Sequence, residues 1–216
     1  GPVTLACSLM GEENFIFLIL DEPDLAKRFS DTIKRVVIEM GDVMDVEAGV
    51  KPEERGKYGF SFADDNCCLL NPEMYEFFGY PILRDVFAHF APGENDRRYQ
   101  HSDSAMGHLL PILGRLNLNG VNFGPTVLVP EIRKHLPDCP VQFLTDQGHE
   151  FTDAFLDEVA AQAFDLDIHI FTTTKELVER IHARGSKVNV WTCDWIDKAQ
   201  DLVEWGVDYI TTNILE

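Results

Sequence analysis

Acidic and imidazole side chains recur in this sequence directly after short apolar runs. Asp64 and Asp65 follow the run Phe60–Ala63, and His101 and Asp103 close the next such run. Carboxylates beside imidazoles are the groups needed for general acid–base chemistry or for binding a divalent cation. We therefore take Asp64, His101 and Asp103 as candidate catalytic residues, and His101 and Asp103 as candidate metal ligands.

The second half of the chain ends its apolar runs in the same way, on polar residues. Asn122 and Thr145 fall at such ends and are candidates for contacting a small-molecule substrate, whose identity the sequence does not give. Cys193 is a further candidate metal ligand, because a thiolate binds soft or borderline cations. Barrels without a defined activity also carry polar strand ends, so a purely structural role stays open for all of these residues.

The elements that would position these residues alternate regularly along the chain. Short β-branched or aromatic runs bounded by Gly, Pro, Asp and Asn are typical of strands, and a helical pattern follows most of them. Parallel pairing follows from such alternation, and eight units favour a (βα)8 TIM-type barrel over the alternative of an open doubly wound sheet. The predicted strands are Val3–Cys7, Phe60–Ala63, Arg98–His101, Gly120–Phe123, Val141–Leu144, Leu166–Ile170, Lys187–Thr192 and Tyr209–Thr212.

Helices are predicted between these strands by their apolar spacing and by their capping residues. Residues 46–58 are polar and are predicted to form a loop. The sequence stops just after the eighth strand, so the last helix of the barrel is expected to be missing from this single domain of residues 1–216. The predicted helices are Pro23–Met40, Asn71–Phe90, Met106–Leu116, Val129–His135 and Thr152–Phe164, followed by one that Thr173 or Thr174 caps and that ends at Arg184-Gly185, and by Trp195–Trp205, which ends at Gly206.

A missing last helix would leave apolar surface uncovered beside the final strand. The early apolar segment Phe15–Leu18 could cover the seam between the first and last strands by folding back. A second copy of the chain could cover the same surface, which gives a homodimer as the second expectation.

Composition limits the classes of partner. The net charge is −19, which repels phosphate backbones and anionic lipids, so we expect neither nucleic acid nor a membrane surface as partner. No apolar run approaches the length of about 18 residues that a membrane-spanning helix needs. The five cysteines form no C-x-x-C pair and favour a reducing, cytoplasmic location. No cofactor is expected, apart from a divalent metal.

Residues 1–138 resemble the uroporphyrinogen decarboxylase superfamily, which includes cobalamin-dependent methyltransferases. The resemblance is carried by the segments 2–6, 62–66, 71–75, 99–103 and 120–123, which read PVTLA, FADDN, NPEMY, YQHSD and GVNF. Related methyltransferases hold zinc with a His-x-Cys pair and a later Cys. The matching stretch here is His101-Ser102-Asp103, in which oxygen replaces the soft sulfur.

Residues 140–216 resemble the C-terminal half of glycerophosphodiester phosphodiesterases. The resemblance is carried by the segments 141–145, 165–169, 188–192 and 205–213, which read VQFLT, DLDIH, VNVWT and WGVDYITTN. The resemblance implies that Trp191 lines the glycerol side of a substrate pocket. The family's catalytic motifs (His-Arg-Gly, Glu-x-Asp and a second His) belong to its N-terminal half and do not occur here.

Both families are barrels, and four units from each would complete one barrel. We interpret the chain as a chimera, of engineered or natural origin, with a decarboxylase-like half at 1–138 and a phosphodiesterase-like half at 139–216. Because neither half brings its family's full catalytic set, a scaffold without preserved catalytic activity is the first expectation. The alternatives are a glycerophosphodiester phosphodiesterase-like hydrolase and a decarboxylase-like or corrinoid methyltransferase-like enzyme.

Overall fold

The computed structural model describes residues 1–214, which fall into two compact units divided between Gly120 and Val121. Across the two units, seven parallel strands alternate with helices, which confirms an α/β fold of the TIM type. The prediction of eight strands is wrong, because the described residues contain seven. The predicted single domain with a junction near residue 138 stays a prediction, although the units divide earlier, at Gly120.

The first unit holds two paired strands and most of the helical mass. Strand β1 (Phe60–Ala63) pairs in parallel with β2 (Arg98–Ser102), with Phe60 opposite Arg98 and Ala63 opposite His101. Short 3-10 turns cover Pro52–Glu54, Asp65–Leu69, Gly107–Leu109 and Gly114–Leu116. The α-helices are α1 (Pro2–Met10), α2 (Glu12–Asp21), α3 (Pro23–Glu47), α4 (Arg55–Tyr58), α5 (Pro72–Phe90) and α6 (Leu110–Leu113).

The predicted first strand, Val3–Cys7, is wrong because these residues form helix α1. Pro2 occupies the first turn, where proline fits a helix, and Val3, Ala6 and Cys7 are buried at helical spacing. The backbone N–H of Thr4 donates to Asp64 Oδ1 at 2.9 Å, so a distant carboxylate satisfies the first turn. A short run that contains β-branched residues cannot by itself separate helix from strand.

The apolar segment Phe15–Leu18 lies in helix α2 of the first unit. Phe15 is fully buried and packs edge-to-face on Phe78 of α5, with ring centroids 4.7 Å apart. The expectation that this segment covers a seam beside the last strand stays a prediction. Phe17, two residues further along the helix, is half-exposed.

The predicted loop at 46–58 contains more regular structure than expected. Helix α3 extends to Glu47, beyond the predicted end at Met40, and α4 ends the segment at Tyr58. Arg55 holds this region on α3 through ion pairs with Asp42 at 3.0 Å and Asp45 at 2.8 Å. The predicted helix 106–116 is instead a run of short helical turns.

The second unit is a parallel arrangement of strands that begins with β3. The strands β3 (Gly120–Phe123), β4 (Val141–Leu144), β5 (Phe164–His169), β6 (Val188–Trp191) and β7 (Tyr209–Ile210) pair in that order. The strands β3 and β4, which flank the predicted boundary at residue 138, pair directly, with Val121 opposite Val141. The intervening helices are α7 (Val129–His135), α8 (Asp153–Ala161), α9 (Lys175–His182) and α10 (Ile196–Glu204).

Side-chain caps fix where several helices begin. Asn71, Thr152 and Thr174 each accept a hydrogen bond from the backbone N–H three residues later. Gly185 and Gly206 take positive φ angles of 85° and 81° after α9 and α10, as predicted for glycine at helix ends. These caps set the loops that lead into β6 and β7.

In residues 1–214, no single helix has both the length and the apolar character needed to cross a membrane. Helices α1 and α2 meet the length and composition together, as a pair bent by 105°.

Candidate functional site

The candidate site of the first unit lies where β1 and β2 end. Ala63 and His101 are paired across these strands, and the Asp64 N–H continues the ladder by donating to the His101 carbonyl at 3.1 Å. Asp65 then opens a 3-10 turn, and Asp103 follows the last residue of β2. The strand register therefore carries four chemically useful side chains to one edge.

Three of these side chains converge. One ligand atom from each of Asp65, His101 and Asp103 lies within 4.8 Å of the others. The Asp103 N–H donates to Asp65 Oδ1 at 3.1 Å, and His101 Nε2 lies 3.9 Å from the same oxygen. One imidazole and two carboxylates within this span could hold a divalent cation, with its remaining positions open to a ligand.

The charges in this cluster act on one another. Burial raises the pKa of the Asp103 carboxyl, and the neighbouring Asp65 charge raises it further, while His101 lowers it. Two carboxylates this close disfavour each other's ionised form, and a bound cation would relieve that repulsion. The donor set therefore fits a divalent cation on electrostatic as well as geometric grounds.

Asp64 plays a different part from its neighbour Asp65. The Asp64 side chain is fully buried and accepts from Thr4 N at 2.9 Å, while its Oδ2 has no hydrogen-bond partner among residues 1–214. Burial raises the pKa of the Asp64 carboxyl to about 6, against the opposing effect of the Thr4 N–H. This predicted catalytic candidate is a buried acid at the start of α1 and is absent from the cluster of three ligands.

A thiol and two hydroxyls lie near this edge, and none of them was among the candidate site residues taken from the sequence. Cys67 Sγ lies 3.9 Å from Ser102 Oγ, which contacts Ser104 Oγ at 2.8 Å. Burial raises the pKa of the Cys67 thiol well above its ordinary value, so this cysteine stays protonated and unreactive. The signal available in the sequence was the alternation of side chains along β2, which places Ser102 on the inner face.

The polar strand ends of the second unit bind one another. Asp167 is buried on β5 and accepts from Asn122 Nδ2 at 2.7 Å and from Asn189 Nδ2 at 2.5 Å. Thr145 Oγ1 donates to the Asp167 carbonyl at 3.2 Å. Asn122 and Thr145, the predicted substrate contacts, are therefore both engaged in an internal network. Sequence reasoning missed Asp167 as the centre of that network.

Trp191 and Cys193 also lie in the second unit. Trp191, at the end of β6, packs edge-to-face against His169 with ring centroids 4.8 Å apart, and within the described part of the chain its buried indole N–H has no hydrogen-bond partner. Cys193 is buried, and its Sγ lies 3.5 Å from the Trp195 carbonyl oxygen. The third member of the ligand cluster around His101 and Asp103 is thus Asp65, where the sequence had suggested Cys193.

The fold and the strand-end site define an α/β protein of the TIM type with an enzyme-like architecture. The family model of uroporphyrinogen decarboxylase (URO-D) matches residues 1–144. The chain belongs to this family. The model of the glycerophosphoryl diester phosphodiesterase family matches residues 123–216, so the two matches overlap from the end of β3 through β4. Both predicted resemblances are confirmed.

Two proteins of known structure are similar to parts of this chain. A protein of Silicibacter pomeroyi DSS-3 described as a glycerophosphoryl diester phosphodiesterase has 20% identity and a TM-score of 0.47 over 62% of this chain and 52% of its own. The present chain therefore spans about half the length of that protein. KGPDC from Streptococcus mutans has 11% identity and a TM-score of 0.46, covering 73% of this chain and 77% of its own. No curated protein matches the chain.

Proposed function

We propose that the chain is a cation-dependent protein of the uroporphyrinogen decarboxylase family whose site is formed by Asp65, His101 and Asp103. The observation that carries this proposal is the convergence of these three side chains within 4.8 Å. A mixed set of one nitrogen and two oxygen ligands suits Mn²⁺ or Zn²⁺ better than Ca²⁺. When bound, the cation would polarise a small anionic ligand as a Lewis acid.

Other features of the chain position the three ligands. His101 and Asp103 are held by β2, whose pairing with β1 sets their spacing to Asp65. Asp64 anchors α1 behind the site and keeps a proton at acid pH, because burial favours its neutral form. Because it anchors α1, Asp64 positions the segment that carries Asp65. Asp64 does not contact the ligand.

Calorimetric titration with Mn²⁺ and Zn²⁺ tests this proposal. His101→Ala and Asp65→Asn should each weaken binding at least about tenfold, because each removes one ligand of three. Glu39→Gln, which removes an exposed carboxylate on α3, is the matched control and should bind as the unchanged chain does. Absence of saturable binding in the unchanged chain, or equal losses in the control, would refute the proposed site.

A second candidate is a composite scaffold without catalytic activity. It is supported by the overlap of two family matches between β3 and β4, and by the engagement of Asn122 and Thr145 in internal hydrogen bonds. On this proposal the chain does not hydrolyse glycerophosphodiesters in Mg²⁺ or Ca²⁺. Metal-dependent hydrolysis that is lost in Trp191→Ala would reject it in favour of a phosphodiesterase.

Two further assignments accompany these candidates. We place the protein in the cytoplasm, because all five of its cysteines are free thiols. We also propose a homodimer through the surface at β7 and the residues that follow it, where Tyr209 and Ile214 are exposed. Sedimentation of the unchanged chain against Tyr209→Glu distinguishes a dimer from a monomer.

A further inference from the structure

A cavity of about 300 Å³ in the first unit is lined by three arginines. Arg98 opens β2, Arg84 lies on α5, and Arg115 lies on the turn Gly114–Leu116. The remaining walls are mostly apolar, with Phe87 and Leu116 among them, and also include Asn117. In a chain with a net charge of −19, three guanidinium groups at one cavity are a local reversal of sign.

Arg98 is the central member of this group. The residue is 6% exposed, and its guanidinium donates to the carbonyls of Asn117 at 2.7 Å, Ala91 at 2.7 Å, Gly93 at 2.7 Å and Glu94 at 2.6 Å. These acceptors fix the group in place but carry no net charge. Within residues 1–214, no carboxylate lies at ion-pair distance from Arg98. A buried charge ordinarily has a counter-ion, so this cation is electrostatically incomplete.

Arg84 and Arg115 stand at the rim and are available to an incoming anion. Their side chains are 55% and 46% exposed, and they pair with Asp85 at 2.7 Å and Glu76 at 2.8 Å. Exposed ion pairs of this kind contribute little and exchange easily. The Arg115 guanidinium also lies 4.6 Å from the centre of the Tyr80 ring, which holds it near the cavity.

The cavity is separate from the proposed cation site. Arg98 begins β2 and Asp103 follows its end, so the strand holds the two places roughly 16 Å apart. The sequence contains no motif that would have revealed the cavity, because its arginines come from a helix, a strand and a turn.

We propose that this cavity binds a phosphomonoester carried on a small apolar body. A dianionic phosphate would neutralise Arg98 and accept hydrogen bonds from Arg84 and Arg115, since arginine is the side chain best suited to binding phosphate through paired hydrogen bonds. Phe87 and Leu116 would contact the apolar part. The ligand binds at the end of the strands opposite the cation site and is therefore an effector or a second substrate group.

The test uses phenyl phosphate as the probe, titrated calorimetrically in EDTA so that no metal ion mediates binding. The double variant Arg84→Gln/Arg115→Gln should weaken binding at least about tenfold, since two charge-assisted contacts are lost. Ala88→Glu, which adds a carboxylate to the exposed cavity wall, should weaken it similarly. Arg35→Gln is the matched control, because it also removes one arginine from an exposed ion pair, 3.6 Å from Glu39.

The inference holds if the unchanged chain binds phenyl phosphate saturably and only the cavity variants lose it. It is overturned if the unchanged chain shows no saturable binding, or if Arg35→Gln loses as much affinity as the double variant. Benzoate, with the same ring and a single negative charge, should bind more weakly. Equal or tighter binding of benzoate would overturn the assignment to a phosphate ester.

Discussion

The two units differ in the groups that surround the carboxylates at their strand ends. In the second unit, Asp167 accepts hydrogen bonds from two asparagine amides and belongs to the packed interior. In the first unit, Asp65 and Asp103 lie beside each other, and burial together with the Asp65 charge raises the pKa of Asp103. A carboxylate satisfied by amides stabilises a fold, whereas two adjacent carboxylates beside an imidazole have the donor atoms to bind a cation. Strand-end polarity alone therefore does not define a functional site.

Replacing one carboxylate in each unit by alanine should show this difference most strongly, in the free energy of unfolding. Asp167→Ala removes the carboxyl group to which two buried amides donate, and should lower the free energy of unfolding by about 3 kcal/mol or more. Asp65→Ala removes a half-exposed side chain and should change it by less than about 1 kcal/mol in metal-free buffer. Urea denaturation measures both, and a larger loss in Asp65→Ala than in Asp167→Ala would reverse the comparison.

Substitution of Asp64 gives the next largest expected effect, and the size of that effect depends on pH. Its folded pKa of about 6 lies above the ordinary value of 3.8, so the folded chain binds this proton more tightly than the unfolded chain. Folding carries no penalty from Asp64 below about pH 4, and the penalty grows as pH rises through 6, to about 3 kcal/mol at most. Asp64→Asn should therefore melt higher than the unchanged chain at pH 8 and equally at pH 4. A lower melting temperature for Asp64→Asn at pH 8 would contradict this account.

Removing a helix cap should lower the free energy of unfolding by a smaller amount, which is the same in the two units. Asn71→Ala in the first unit and Thr174→Ala in the second each remove one capping hydrogen bond and should cost about 1 kcal/mol. Chemical denaturation gives the values, with Ser8→Ala as a control away from any helix start. A cost near zero for either cap would show that its helix is held by packing alone.

The sequence predicted several strands better than the segments around them. β1, β3 and β4 have the predicted bounds, because turn residues flank short β-branched or aromatic runs in each. Val3–Cys7 became a helix because a tertiary contact, the Asp64 carboxylate at its first turn, decided between two local possibilities. Such a contact joins residues 60 positions apart and has no local signature.

The candidate site was predictable in kind and less so in membership. His101 and Asp103 were recognised from their spacing at a strand end, and the structure brings them together. Asp65 takes the place expected of Asp64, because strand pairing continues through Asp64 and turns its side chain inward. Cys193 was a candidate only because a thiolate can bind a metal ion, and it lies in the other unit.

Locating the bound cation directly gives the sharpest test of the difference between the two units. Crystals of the full chain soaked in Mn²⁺ should show an anomalous difference peak at about 2.0–2.3 Å from His101 Nε2 and from oxygens of Asp65 and Asp103. The account predicts no such peak at Asp167, whose oxygens already accept from two amides. No peak at the Asp65, His101 and Asp103 cluster, or a peak at Asp167 instead, would contradict the central claim.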